Sequence, residues 1–328
     1  MSIPITLACE RYDRTEALRD GRVCPAGVDL TYLPQQVEET FFRMARFREF
    51  DAAEMSLSSY VISLTRDAPF IALPVFPSRF FRHSGIYVSA ASGIEKPQDL
   101  VGKRVGIAEY QLTANVWIRG ILADRHDVPV ESVTYRTGGL HEAGRPEKLK
   151  VDLAPEIRVE PIGPGQTLSE MLAAGELDAV YTPREPHSFT AGDGRVRRLF
   201  DPSGPAEEQY FAETGIFPIM HVVVLRREVY ERNRWLARSL YDAFTESKRL
   251  CEENFTETAA LRYMLPWLLD EVARTKSLLG NDFWPYGLAP NRETLRTFLR
   301  YSYDQGLAAR PLEPEELFAP ETLESTLV

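Results

Sequence analysis

Arg79, Arg82, His83 and Ser84 follow directly on the apolar run Leu73-Pro74-Val75-Phe76-Pro77, and a second apolar run, Ile86 to Val88, begins at once after them. Fixed cations at the exit of a buried strand are how an open α/β sheet meets an anionic ligand. An arginine fork holds a carboxylate by two parallel hydrogen bonds. An imidazole changes charge near neutral pH. Carboxylate binding joined to proton transfer is therefore the chemistry this stretch predicts. A solvated surface loop is the plain alternative, since loops are where charges ordinarily lie.

Such a stretch needs strands and helices to hold it. Short apolar runs over 3–9, 28–33, 52–55, 70–76, 86–90, 104–108, 132–135, 158–161, 179–181 and 218–225 read as strands. Helical spacing covers 38–47, 58–65, 114–124, 167–174 and 235–254, and the chain is mainly helical to about residue 303. Thr113 is placed to be the N-cap of the helix over 114–124. Alternating strands and helices predict an α/β fold with mainly parallel sheet covered on both faces. The last third has too few strands for its own sheet and is expected to return to the first. That gives a discontinuous lobe 1 over 1–102 plus 222–328, a lobe 2 over 103–221, and a ligand cleft between them.

Bulk properties narrow the function. The 328 residues are 44% hydrophobic and 26% charged, an ordinary globular composition. A formal charge of −10 and a pI of about 5.2 make nucleic acid and anionic membranes poor partners. Cys9, Cys24 and Cys251 are odd in number and far apart, which predicts reduced thiols and a cytoplasmic protein. Leu7-Ala8-Cys9 lacks the basic start and apolar length of a secretory signal, and Met1 opens the chain. No HxH, HExxH or paired-carboxylate spacing, G-x-G-x-x-G or P-loop is visible, so neither a metal nor a nucleotide cofactor is expected.

Motifs along nearly the whole chain resemble the 4,5-dihydroxyphthalate decarboxylase family. They are Tyr12-Asp13-Arg14-Thr15, Asp20-Gly21-Arg22-Val23 and Gly27-Val28-Asp29-Leu30, then Ala72-Leu73-Pro74-Val75-Phe76-Pro77 with Arg79, and Phe81-Arg82-His83-Ser84. Glu109-Tyr110-Gln111, Thr113-Ala114 and Val116-Trp117-Ile118-Arg119-Gly120 continue the match. So do Tyr135-Arg136-Thr137-Gly138-Gly139, Gly144-Arg145 with Glu147-Lys148, Met220-His221-Val222-Val223, Phe283-Trp284-Pro285-Tyr286-Gly287-Leu288 with Asn291-Arg292, and Tyr301-Ser302-Tyr303-Asp304-Gln305-Gly306-Leu307. The chain departs from the family around Tyr181–Pro186, where Glu185 stands in place of a basic residue.

The resemblance implies a type II periplasmic-binding-protein-like fold and a cofactor-free lyase that takes 4,5-dihydroxyphthalate, or a close hydroxylated aromatic acid, to protocatechuate and carbon dioxide. The partner is then a small aromatic carboxylate, with a homo-oligomer open. Such a reaction needs cations for two carboxylates, a proton for the ring carbon and polarisation of the catechol oxygens. Arg14, Arg79 and Arg82 are the expected carboxylate partners; Arg136 and Arg184 of the second lobe could serve the same way, with structural ion pairs the favoured reading for them. Thr113 adds donors at a helix start. His83 is the leading proton donor and His221 the second. Glu109 and Glu54 are candidate acceptors for the catechol hydroxyls, Ser56 a further substrate contact, and Tyr12, Tyr110 and Trp284 borders for the ring. The rival classes are a non-catalytic solute-binding protein for a small anionic or aromatic ligand, and a different lyase or hydrolase.

Overall fold

The computed structural model describes residues 2–144 and 152–323; Arg145, Glu147 and Lys148 of the family motifs lie outside the described residues. Eleven strands are described: β1 (Ile3–Cys9), β2 (Val28–Pro34), β3 (Ala52–Ser56), β4 (Phe70–Leu73), β5 (Ile86–Ser89), β6 (Arg104–Ile107), β7 (Thr134–Thr137), β8 (Arg158–Pro161), β9 (Ala179–Tyr181), β10 (Val196–Arg198) and β11 (His221–Arg226). The chain forms two compact units.

The first unit comprises Met1–Arg79, Ile219–Arg296 and Leu312–Val328. Its sheet runs β2-β1-β3-β11-β4. β1 pairs in parallel with β2 and β3, while β11 is antiparallel to both β3 and β4. Leu7, Ala8 and Cys9 are all fully buried, the near-continuous burial of a strand covered on both faces. A helix, Leu57–Leu64, follows β3 without a loop, and its N-cap Ser56 accepts the Ser59 amide at 3.4 Å. The longest helix, Trp235–Asn254, buries Leu236, Leu240, Phe244, Ser247 and Cys251, a stripe at helical spacing.

The second unit comprises Phe80–Pro218 and Thr297–Pro311. Its sheet runs β10-β5-β9-β6-β7-β8, with β6 parallel to β7 and β9, β8 parallel to β7, and β5 antiparallel to β9 and β10. Trp117, on the helix Thr113–His126, packs on Phe298 and Tyr301 with ring centroids 5.4 and 5.7 Å apart. Gly120 makes this possible, because a Cβ there would fall 2.2 Å from the Tyr301 ring.

Two expectations change. β5 was assigned to lobe 1 and lies in the second sheet, since its partners β9 and β10 are there; the chain passes between units at Arg79–Phe80, not near Val101–Arg104. The N-cap of Thr113–His126 is Leu112, with no side-chain cap, so Thr113 is the first helical residue.

Candidate active site

In the first unit, functional side chains gather where β1 and β3 end and β11 begins. Alternation on a strand puts every second side chain on one face. His221 pairs with Ser56 and Val223 with Glu54, so Glu54, Ser56 and His221 share a face at neighbouring registers. His221 Nδ1 lies 2.6 Å from Glu54 Oε1. The Tyr12 hydroxyl donates to the same oxygen at 2.7 Å. Oε2 accepts the Glu10 amide at 3.1 Å and the Cys9 thiol at 3.5 Å. The Phe41 ring meets His221 edge-on at 4.8 Å.

Glu54 is fully buried. Burial pushes its carboxyl up, but the bond and charge of His221, the Tyr12 hydroxyl and the Glu10 amide outweigh burial and leave it below its ordinary range. Burial first, and Glu54 second, push the Cys9 thiol and the Tyr12 phenol up, so both keep their protons.

The Arg14 guanidinium lies 4.1 Å over the Tyr12 ring and 4.4 Å over the Trp284 ring. Its Nε donates to the Pro77 carbonyl at 2.7 Å, Nη2 donates to the same oxygen, and Nη1 donates to Asp13 at 2.9 Å. Those bonds engage three of its five N–H groups. The Trp284 indole donates to the Phe76 carbonyl at 2.9 Å. Tyr12 and Trp284 thus spend one face each on Arg14. Arg79 is buried, donates to the Pro285 carbonyl at 2.8 Å and to Asn291, and is held by burial at about 9, below its usual value.

The second unit holds the other candidates. His83 is buried, with Phe200 and Tyr210 at 5.2 and 5.3 Å, and burial pushes it to about 4, with His126 adding to the shift. Its imidazole is therefore neutral near pH 7, and its Nδ1 meets no hydrogen-bond partner among the described residues. The rings nearest the expected donor are thus aromatic, Phe200 and Tyr210. Arg82 is buried, stacks 4.8 Å from Phe80, and is lowered to about 10 by burial, opposed by Glu207.

Glu109 is buried and accepts the Gln111 side-chain amide at 2.8 Å, while its carbonyl accepts Asn115 at 3.1 Å. Tyr110 is buried and donates to the Gln305 carbonyl at 3.2 Å. Thr113 is buried at the first turn of its helix. Arg136 pairs with Glu160 at 2.5 Å and lines a cavity of about 300 Å³ with Arg104, Gln166, Met171 and Glu176. Arg184 is exposed, and the unexpected Glu185 beside it faces Arg198 at 2.5 Å. Among the described residues no group of three or more His, Cys, Asp or Glu side chains gathers as a metal set.

No family model matches the chain. A 4,5-dihydroxyphthalate decarboxylase of Comamonas testosteroni is 40% identical over 324 residues, covering 98% of each chain. A protein of the same name from Pseudomonas putida is 46% identical over 210 residues, 63% of this chain and 81% of its own. This chain belongs to the 4,5-dihydroxyphthalate decarboxylase family. Its fold is that of periplasmic-binding proteins. The aliphatic sulphonate binding protein SsuA of Escherichia coli superposes with a TM-score of 0.57 at 11% identity, covering 98% of this chain and 99% of its own. A mutant of the desulfurization enzyme DSZB, in complex with biphenyl-2-sulfinic acid, superposes at 0.52 and 15%, covering 98% of both.

For this member of the decarboxylase family, sequence reasoning assigned no role to Cys9, Gln111, Asn115 or Arg119. Arg119 was the detectable one. It interrupts the apolar run Val116-Trp117-Ile118, and a charge inside a buried helical face must find partners. No helix among the described residues is long and apolar enough to cross a membrane.

Proposed function

We propose that the chain is a carboxy-lyase that converts 4,5-dihydroxyphthalate to protocatechuate and carbon dioxide, with His221 as the proton donor. The observation that carries the reaction is the 40% identity over 98% of the chain to a protein of that name. The observation that favours His221 over His83 is its bond to the buried Glu54, with its side chain 17% exposed. Tyr12 ties the proposed pieces together, since its hydroxyl reaches Glu54 and its ring lies under Arg14.

In the substrate each carboxyl-bearing carbon has a hydroxyl para to it. Electron release from that oxygen raises the density at the carbon. A proton from His221 Nε2 forms the new C–H bond there. The C–C bond to the carboxylate then breaks, its electron pair returns to the ring, and carbon dioxide leaves. Solvent returns the proton to the imidazole, so each turnover consumes one. Arg14, with two N–H groups beyond the three bonds described, is the proposed partner of the retained carboxylate. Ser56, next to His221 across the strands, supplies a further contact.

The three free thiols, Cys9, Cys24 and Cys251, support a cytoplasmic location. Self-association is part of the proposal, and the exposed Leu261, Met264, Leu265 and Trp267 support it.

The test is purified protein with 4,5-dihydroxyphthalate, 4-hydroxyphthalate, phthalate and protocatechuate, following carbon dioxide and the aromatic product. Release from the dihydroxylated compound, with little from phthalate, is expected. His221→Gln should lower turnover by roughly 10²–10⁴, typical of losing general acid catalysis, while His83→Gln and Glu109→Gln keep most of it. A collapse in His83→Gln alone moves the donor there. Absence of release from every phthalate discards the reaction.

A further inference from the structure

Glu54 has no capacity left for a substrate hydroxyl. An ionised carboxylate offers about four lone-pair positions. Here four donors reach it from two strands and their ends: Cys9 on β1, Glu10 and Tyr12 just beyond it, and His221 on β11. The saturated shell explains how a fully buried carboxyl remains charged, because a buried anion is tolerated only when it is surrounded by donors.

That shell also determines which way the imidazole is protonated. A carboxylate only accepts, so the hydrogen in the 2.6 Å contact belongs to His221 Nδ1. Nε2 is left as the nitrogen that exchanges a proton with anything outside the pair. Phe41, edge-on at 4.8 Å, packs against the ring. The charged and titratable groups around the pair are Tyr12, Cys9, Tyr32 beside Cys9 and, over the Tyr12 ring, Arg14.

We infer that Glu54 is a positioning residue, which holds His221 with Nδ1–H toward itself and Nε2 toward the reacting ring carbon. This replaces the expectation that Glu54 accepts from a catechol hydroxyl, and it rests on the reading of His221 as the proton donor. The relationship is that of a buried carboxylate orienting a catalytic imidazole, in which an amide in place of the carboxylate selects the wrong tautomer. The geometry makes the same demand here. In Glu54→Gln the side-chain NH₂ can donate to Nδ1, which fixes a neutral imidazole with its proton on Nε2, a far weaker acid than the imidazolium that the carboxylate supports.

The test joins kinetics to spectroscopy on the full chain. Glu54→Gln should lower kcat by roughly 10²–10⁴ and leave KM within about twofold, the scale of a neutral change. Tyr12→Phe removes one of four donors and retains the carboxylate, so its kcat loss should be far smaller. ¹⁵N NMR of His221, assigned by its disappearance in His221→Gln, reads the tautomer on the alkaline side of its titration. The wild type should show Nδ1–H, Tyr12→Phe the same, and Glu54→Gln should show Nε2–H. An Nε2–H tautomer in the wild type, or turnover in Glu54→Gln near that of the wild type, overturns the inference. If Glu54→Gln fails to fold, the wild-type and Tyr12→Phe tautomers decide it. The tautomer measurement needs no substrate, so failure of the proposed reaction and failure of the role of Glu54 are separable.

Discussion

The guanidinium of Arg119 lies 3.9 Å over the ring of Tyr110, and its Nη2 donates to the carbonyl of that same residue at 2.7 Å. Its Nε donates to the Gln305 side chain at 2.7 Å, and Gln305 in turn donates to the Val116 carbonyl at 3.0 Å. One buried cation thus ties the loop that carries Glu109 and Tyr110 to the helix that follows it and to the segment around Gln305. Arg119→Met leaves two buried acceptors without donors, at about 1–3 kcal/mol each. A stability loss of about 3 kcal/mol or more is expected from urea unfolding. Lysine should recover only part, because a compact ammonium lacks the planar fork that reaches both acceptors while stacking on the ring. An unchanged midpoint with unchanged slope would falsify the role.

Arg14 is presented by two aromatic faces and keeps two N–H groups beyond its described bonds. Losing a charge-assisted contact costs on the order of 1.5–3 kcal/mol, so Arg14→Met should raise KM by roughly tenfold or more. Its kcat should fall less. Steady-state kinetics decide this, and a KM equal to the wild type would remove Arg14 from substrate binding.

His83 makes a pH prediction. Its folded pKa is about 4, pushed down first by burial and then by His126. The unfolded value is near 6.5. Between those two values the unfolded chain binds the proton and the folded chain does not. The contribution is therefore complete above about 6.5 and is lost as pH falls toward 4, to a limit of roughly 3 kcal/mol. His83→Gln carries its own cost, but that cost does not depend on pH. Urea titrations of both proteins across this window should diverge in slope, and parallel curves would exclude a neutral buried imidazole.

Strands with strong apolar runs were legible. β1 begins and ends where its residue types change, Ile3 to Cys9. β10 carries Val-Arg-Arg, too short and too charged to announce a strand, and is made by its pairing with β5. The helix Ser203–Thr214 was missed because it buries only Tyr210 and so has no apolar stripe. Glu54 and His221 were both singled out, yet not as a pair. They lie on β3 and β11, and which strands become neighbours is a non-local outcome that spacing does not encode. The arginine–histidine stretch looked like one cluster because its residues are adjacent in sequence. Arg79 falls in the first unit and Arg82 and His83 in the second, a boundary that sequence adjacency does not reveal.

The strand order β3-β11-β4 bears on how the chain is made. β11 fills the slot between two strands that leave the ribosome early, yet it follows all six strands of the second sheet. A nascent chain that ends before His221 has β3 and β4 with their facing backbone groups unpaired. Such open edges favour non-native pairing and association. The first unit must therefore wait while the second is synthesised, and its closure is a long-range step of the slow kind. His221 is the first residue of the strand that completes it. The proposed acid and completion of the first sheet consequently arrive in the same event, so a chain truncated or stalled upstream lacks that acid and is exposed to chaperones and proteases.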